Sequence, residues 1–268
     1  MAEYRAKKRL GQNFLTSEKI ITRIIELVNP TADSIVVEVG PGQGALTKPL
    51  AASKAQVWGI EFDRDLIRGL ENSLLDFPNV TILNRDFLAF RPEDHDIKSF
   101  ILTGNLPYNI TSPVIDWCIQ YRDNIERAVF MIQREMAERI TGSPGSRNWS
   151  PLSIFTQIHF DTTHCFDVPP AAFVPQPEVT SSVIRLTPHR RIVLQDPGFF
   201  DKVVRASFTQ RRKLLLNNLV PDFIPTNDAG KKLLAELGLA DLTRAEEVTI
   251  PQFIHLSERL SALREQLH

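Results

Sequence analysis

One short stretch limits what this chain can fold into more than any other. Val36-Val37-Glu38-Val39 is a run of strand formers, Gly40, Gly42 and Gly44 follow at alternate positions, and Ala45-Leu46-Thr47 opens a helical pattern. Glycine is wanted where a backbone turns tightly and must approach a ligand with no side chain in between. An ordinary glycine turn between strand and helix would read the same way, so the flanking pattern matters. Strands are expected at Ser34–Val39, Gln56–Glu61, Val80–Leu83, Phe100–Thr103 and Ala128–Ile132. Helical patterns alternate with them at Ala45–Ala52, Arg64–Ser73, Pro113–Tyr121 and Arg134–Thr141. Strands joined through helices pair in parallel, because each crossover packs its helix on the sheet. Thr156–Phe166 and Thr180–Leu186 are β-rich with no helix between them, which suggests an antiparallel hairpin closing one sheet edge.

Beyond Pro188 the pattern becomes helical throughout: Phe199–Phe208, Arg211–Leu219, Ala229–Leu237 and Pro251–Leu263, punctuated by Pro221, Pro225, Gly238 and Pro251. The expected architecture is α/β, a Rossmann-like and mostly parallel sheet over residues 1–190, followed by a small all-helical domain over residues 191–268.

Composition excludes several classes. No apolar run approaches the roughly 18 residues of a membrane span, and Met1-Ala2-Glu3-Tyr4-Arg5 lacks the apolar stretch of a signal peptide, so a cytoplasmic protein is expected. Cys118 and Cys165 have no second cysteine at ligand spacing and read as free thiols, so no metal is expected. The net charge of −1 gives no global sign of nucleic acid, yet basic residues cluster at Arg5, Lys7, Lys8 and Arg9 and again at Lys202, Arg205, Arg211, Arg212 and Lys213. Each cluster alone is as readily a solvated face as a phosphate site.

Gly40, Gly42 and Ala45 satisfy the dinucleotide fingerprint, so a nicotinamide cofactor has to be weighed against S-adenosylmethionine. Glu38, inside the strand just before the loop, favours S-adenosylmethionine, as in the first motif of methyltransferases. Glu61 ends the next strand, where a carboxylate can accept both ribose hydroxyls, and it suits either cofactor. Asp86, after the third strand, is placed either to accept from an adenine amine or to cap a helical turn.

The fourth strand runs into Asn105-Leu106-Pro107-Tyr108. An exocyclic aromatic amine is a poor nucleophile because its lone pair is delocalised into the ring. A site that accepts hydrogen bonds from both its N–H groups favours the pyramidal amine, whose lone pair then points at an incoming methyl carbon. The Asn105 side-chain oxygen and a backbone carbonyl beside Pro107, that of Leu106, are the expected acceptors. Pro107 stiffens the loop and withdraws a competing donor, and Tyr108 can stack on a base.

Over essentially its whole length the chain resembles the ribosomal RNA adenine dimethyltransferases, and among them the small-subunit branch. Lys8-Arg9-Leu10-Gly11-Gln12-Asn13-Phe14-Leu15 is similar to that family's N-terminal cofactor motif, which implies that Gln12, Asn13 and Leu15 touch the methionine end of S-adenosylmethionine. Phe173-Val174-Pro175-Gln176-Pro177-Glu178-Val179-Thr180-Ser181-Ser182-Val183 looks like its target-side motif and implies Phe173 on the face of the target adenine opposite Tyr108. Phe208–Leu219 is similar to its C-terminal basic helix, so Arg211, Arg212 and Lys213, with Lys7, Lys8 and Arg9, are implied to bind RNA. The resemblance further implies a class I methyltransferase fold and a monomer. Its substrate would be two adjacent adenosines in a hairpin near the 3′ end of 16S rRNA, met in small-subunit (30S) assembly intermediates.

Overall fold

The computed structural model describes Lys7 and residues 12–266, with the side chains of Tyr108, Glu265 and Gln266 excepted. The described chain divides into two units, one of residues 1–138 with 159–189 and the other of residues 139–158 with 190–268.

In chain order the first unit holds β1 (Phe14–Leu15), α1 (Glu18–Val28), β2 (Ile35–Val39), α2 (Thr47–Ala52), β3 (Gln56–Glu61), α3 (Arg64–Ser73), β4 (Val80–Asn84), β5 (Phe100–Asn105), α4 (Thr111–Gln120) and β6 (Ile125–Gln133). After α5 (Arg134–Ile140) and α6 (Pro151–Gln157) come β7 (Phe160–Val168), β8 (Phe173–Val174) and β9 (Ser181–Pro188). The main sheet has the order β4-β3-β2-β5-β6-β9-β7. β2 to β6 pair in parallel, and β9 is antiparallel to both β6 and β7. The expected parallel sheet with an antiparallel edge hairpin is therefore observed.

β2 and β5 are buried on both faces, as the apolar runs Ile35-Val36-Val37 and Phe100-Ile101-Leu102 require. On one face α1 seats Ile20, Ile24 and Val28 against Val36, Ile101, Val129 and Met131. An aromatic group of Phe87, Phe90, Phe100 and Trp117 forms a second cluster, with the Trp117 indole N–H donating to the Phe90 carbonyl (3.1 Å). A second, two-stranded sheet pairs Phe14 with Val174 and Leu15 with Phe173.

The second unit is built from α6, α7 (Pro197–Ser207), α8 (Leu215–Leu219), α9 (Asn227–Glu236) and α10 (Ile250–Gln266). Its core collects Trp149, Ile154, Phe200, Val204, Leu219 and Phe253, and the Trp149 indole N–H donates to the Val248 carbonyl (2.9 Å). Among the described residues no helix is long and apolar enough to cross a membrane.

Two expectations are corrected. Thr156 and Gln157 are helical rather than extended, because Pro151 opens α6 and Ser150 caps it, its N–H donating to the Ser153 hydroxyl (3.1 Å). Capping overrides the β-branched composition of Ile154, Thr156 and Ile158. The helix expected at Arg211–Leu219 begins only at Leu215. Arg211, Arg212 and Lys213 are exposed and bury no face that would favour helix. The Asn218 amide instead donates to the carbonyls of Ser207 (2.7 Å) and Gln210 (3.2 Å), holding this stretch as a turn.

Candidate active site

A cavity of about 330 Å³ lies where the carboxyl ends of β2, β3 and β5 meet. Parallel sheets bind ligands there, because each strand hands over to a loop beyond its last hydrogen bond. The glycine loop forms one wall. Gly40, Gly42 and Gly44 have φ of 63°, 61° and 84°, a region closed to most L-residues. A Cβ on Gly42 would also sit 3.3 Å from the Phe14 ring, so this position is restricted twice. Gly44 does not line the cavity. It lies against Leu70 of α3, where a Cβ would approach to 3.0 Å, so its role is packing.

Glu61 organises the wall beside the glycine loop. Its Oε2 accepts from the Gly42 N–H (2.9 Å) and its Oε1 from the Asp63 N–H (2.7 Å), so one carboxylate ties the glycine loop to the start of α3. Burial raises its pKa, outweighing the backbone N–H groups that stabilise the anion. Asp86 caps the short helix Phe87–Ala89, its Oδ1 accepting from the Leu88 N–H (3.0 Å), and it also lines the cavity.

Glu38 is fully enclosed and lines the same cavity, with one partner in the Thr47 hydroxyl (2.7 Å). Burial pushes its pKa up to about 8; the Thr47 hydrogen bond offsets only part of this, and Glu61 adds repulsion. Because the folded value lies above the unfolded one, the stability Glu38 contributes is complete below about pH 4.5 and lost as pH rises through 8. Glu38→Gln removes this dependence. Melting curves taken from pH 5 to 9 should show the wild type losing several degrees relative to the variant.

At the base of the cavity β5 delivers Asn105. Gly104 precedes it because a Cβ there would lie 2.6 Å from the Val39 carbonyl oxygen, so no other residue lets β5 come this close to β2. The Asn105 Nδ2 donates to the Asn13 carbonyl (2.9 Å). Leu106 is buried and donates its N–H to the Met131 carbonyl (3.0 Å), while the Pro107 carbonyl accepts from the Ile110 N–H (3.1 Å).

Of the residues expected from the sequence, Gln12, Asn13, Leu15, Gly40, Gly42, Glu61, Asp86, Asn105, Leu106, Pro107 and Phe173 all line this one cavity. The Tyr108 side chain, Lys8 and Arg9 lie outside the described residues. Lys7 is engaged by carboxylates, its Nζ lying 2.6 Å from both Asp63 and Asp65. In the second unit Arg211 pairs with Glu246 (3.1 Å) and donates to the Arg147 carbonyl. Phe62 was not anticipated. It lines the cavity next to Glu61 and is 64% exposed, so its ring is accessible at the cavity. An apolar residue directly after a strand reads as core, so the sequence carried no signal for it.

The dinucleotide strand order 3-2-1-4-5-6 is kept through β6, after which an antiparallel strand, β9, is inserted before β7. This sheet, its glycine loop and the Asn-Leu-Pro-Tyr turn define a Rossmann-like S-adenosylmethionine-dependent methyltransferase. Residues 3–262 match the family described as ribosomal RNA adenine dimethylase, and the chain belongs to that family. It is 40% identical to ribosomal RNA small subunit methyltransferase A of Latilactobacillus sakei, over 96% of this chain and 91% of that one. It is also 40% identical to the protein of the same name from Francisella tularensis, over 96% and 98%. Among solved structures it is similar to a dimethyladenosine transferase from Plasmodium falciparum, with TM-score 0.79, 25% identity and coverage of 93% and 98%. The 23S rRNA methyltransferase ErmE is also similar, with TM-score 0.75, 31% identity and coverage of 93% and 100%.

Proposed function

We propose that this enzyme transfers methyl groups from S-adenosylmethionine to N6 of two adjacent adenosines in a hairpin near the 3′ end of 16S rRNA. The products are N6,N6-dimethyladenosines, made in the cytoplasm on small-subunit assembly intermediates by a monomeric enzyme. One observation carries the chemistry: Asn105 reaches the cavity that holds the glycine loop and Glu61, and its Nδ2 is committed to the Asn13 carbonyl. Its side-chain oxygen is then the group that accepts from an incoming amine.

The residues of the cavity fit the cofactor. Gln12, Asn13, Leu15 and the loop at Gly40 and Gly42 would hold its methionine end, Glu61 its ribose, and Asp86 with Phe62 its adenine. When bound, the cofactor supplies a methyl group activated by a sulfonium centre. Asn105 Oδ1 and the Leu106 carbonyl accept the two N–H groups of the target amine and aim its lone pair. Phe173, 2% exposed within the cavity wall, meets one face of the adenine, and Tyr108 is assigned to the other. No general base is required, because the amine becomes acidic as its new bond forms and its proton passes to solvent.

A base reaches such a cavity only when unstacked, so the RNA is read by shape and by extruded bases. Arg211, Arg212 and Lys213 in the second unit, with Lys8 and Arg9, are assigned to phosphates. Phe62→Ala should weaken S-adenosylmethionine binding about ten-fold, the low end of what stacking on one base contributes, with little effect on the saturated rate. Titration calorimetry reads this directly.

The deciding experiment incubates the enzyme with radiolabelled S-adenosylmethionine and either unmodified small subunits or large subunits, then analyses the digested RNA. Dimethyladenosine from the small subunit alone is the expected result. Label in the large subunit would reassign the substrate, and no label in either would refute the proposal.

A further inference from the structure

Asp63 lies outside the proposed chemistry, yet several donors converge on its carboxylate. As the N-cap of α3 its Oδ1 accepts from the Asp65 N–H (3.1 Å) and from the Lys7 ammonium (2.6 Å), while its Oδ2 accepts from the Gln12 side-chain amide (3.0 Å). A cap alone needs only the first of these. The carboxylate is almost wholly buried, 4% exposed, so these bonds are little screened by solvent. Gln12 Oε1 in turn accepts from the Lys7 N–H (2.8 Å), so Lys7 and Gln12 are fastened to each other as well as to Asp63.

The residue after Gln12 is Asn13, whose carbonyl takes the Asn105 Nδ2 (2.9 Å). An Asn amide turns easily about its last torsion, a broad and roughly two-fold well in which oxygen and nitrogen exchange places. An amide turned the wrong way would set N–H groups against the N–H groups of the target amine. Only an outside acceptor fixes the productive orientation, and here that acceptor is a backbone carbonyl one residue from the Asp63 anchor.

We propose that Asp63 is a positioning residue for methyl transfer, holding Lys7 and Gln12 so that the Asn13 carbonyl keeps the Asn105 oxygen turned toward the target amine. The inference rests on the role given to Asn105 above. It also gives Lys7 a different use from the phosphate contact expected of a basic arm, since two carboxylates already share its ammonium group.

The test uses the full chain with S-adenosylmethionine and unmodified small subunits, comparing Lys7→Met, Lys7→Arg and Asp63→Asn with wild type. Under single turnover at saturating cofactor and RNA, Lys7→Met and Asp63→Asn should lower the rate constant about ten-fold, within the range a small misplacement costs. RNA affinity and melting temperature should stay near wild type, and Lys7→Arg should restore most of the rate. Because Lys7 is partly exposed, Lys7→Met tests the idea even if Asp63→Asn folds poorly. An unchanged saturated rate in Lys7→Met would overturn the proposal. So would weakened RNA binding as the only defect, or a Lys7→Arg variant as slow as Lys7→Met. Asn105→Ala, run alongside, separates the two levels: full activity there would remove the role of Asn105 itself, whereas an inactive Asn105→Ala beside a fully active Lys7→Met removes only that of Asp63.

Discussion

Asn105→Ala should lower methyl transfer by at least about 10³-fold while S-adenosylmethionine binding changes little. Loss of one preorganised partner of the reacting group typically costs 10² to 10³ in rate. Here it also frees the amine to return to its planar, conjugated form, which places the loss at or beyond the upper end. The substitution leaves the ground state nearly intact. The glycine loop is tied to Glu61 (2.9 Å), and the short strand at Phe14 and Leu15 stays paired with Phe173 and Val174 without help from Asn105. The effect should therefore appear in the single-turnover rate at saturation, with the calorimetric dissociation constant of the cofactor within a few-fold of wild type. Wild-type turnover by Asn105→Ala would refute the assignment of the amine-binding group.

Glu61→Ala should have the opposite signature, a loss of cofactor affinity of about 100-fold or more, from hydrogen bonds to a charged group worth roughly 1.5–3 kcal/mol each. Glu61 holds two backbone N–H groups that shape the site, at Gly42 and Asp63, besides the ribose hydroxyls it is assigned. Removing it leaves those buried donors without an acceptor and loosens the glycine loop at the same time. The raised pKa of Glu61 adds a pH signature. The carboxylate is the form that accepts ribose hydroxyls, so affinity should fall with decreasing pH, and begin to fall at a higher pH than an ordinary glutamate would set. Calorimetric titrations from pH 4.5 to 8 check both points; affinity independent of pH, or retained in Glu61→Ala, would exclude Glu61 from the cofactor site.

Much of this site could be read from the chain because its parts are local. Glu61 and Asn105 each close a strand and Gly40 and Gly42 follow one within three residues, and a strand followed by a turn of special geometry leaves a local signal. Phe62 left none of that kind. An apolar residue after a strand looks like core, and only the fold shows that its ring is exposed at a cavity. The pairing of Phe14 and Leu15 with Val174 and Phe173 was equally silent, since two residues per strand carry no period. Around Arg211 the apolar spacing of Leu214 to Leu219 suggested a longer helix. The amide that interrupts it belongs to Asn218 and acts on carbonyls at Ser207 and Gln210, which no local propensity describes.

That same ribbon of Phe14–Leu15 against Phe173–Val174 has a consequence for how the enzyme is made. Its two strands stand more than half the chain's length apart, so one wall of the cavity is assembled from an earlier segment and from one that emerges much later. The sheet from β2 to β6 can form within the first 133 residues, with β5 returning to pair with β2, whereas this closure has to wait. A nascent chain that has not yet reached Val174 already carries the glycine loop and Asn105. It still lacks the clasp, and that wall of the cavity closes only when the later segment pairs with the earlier one.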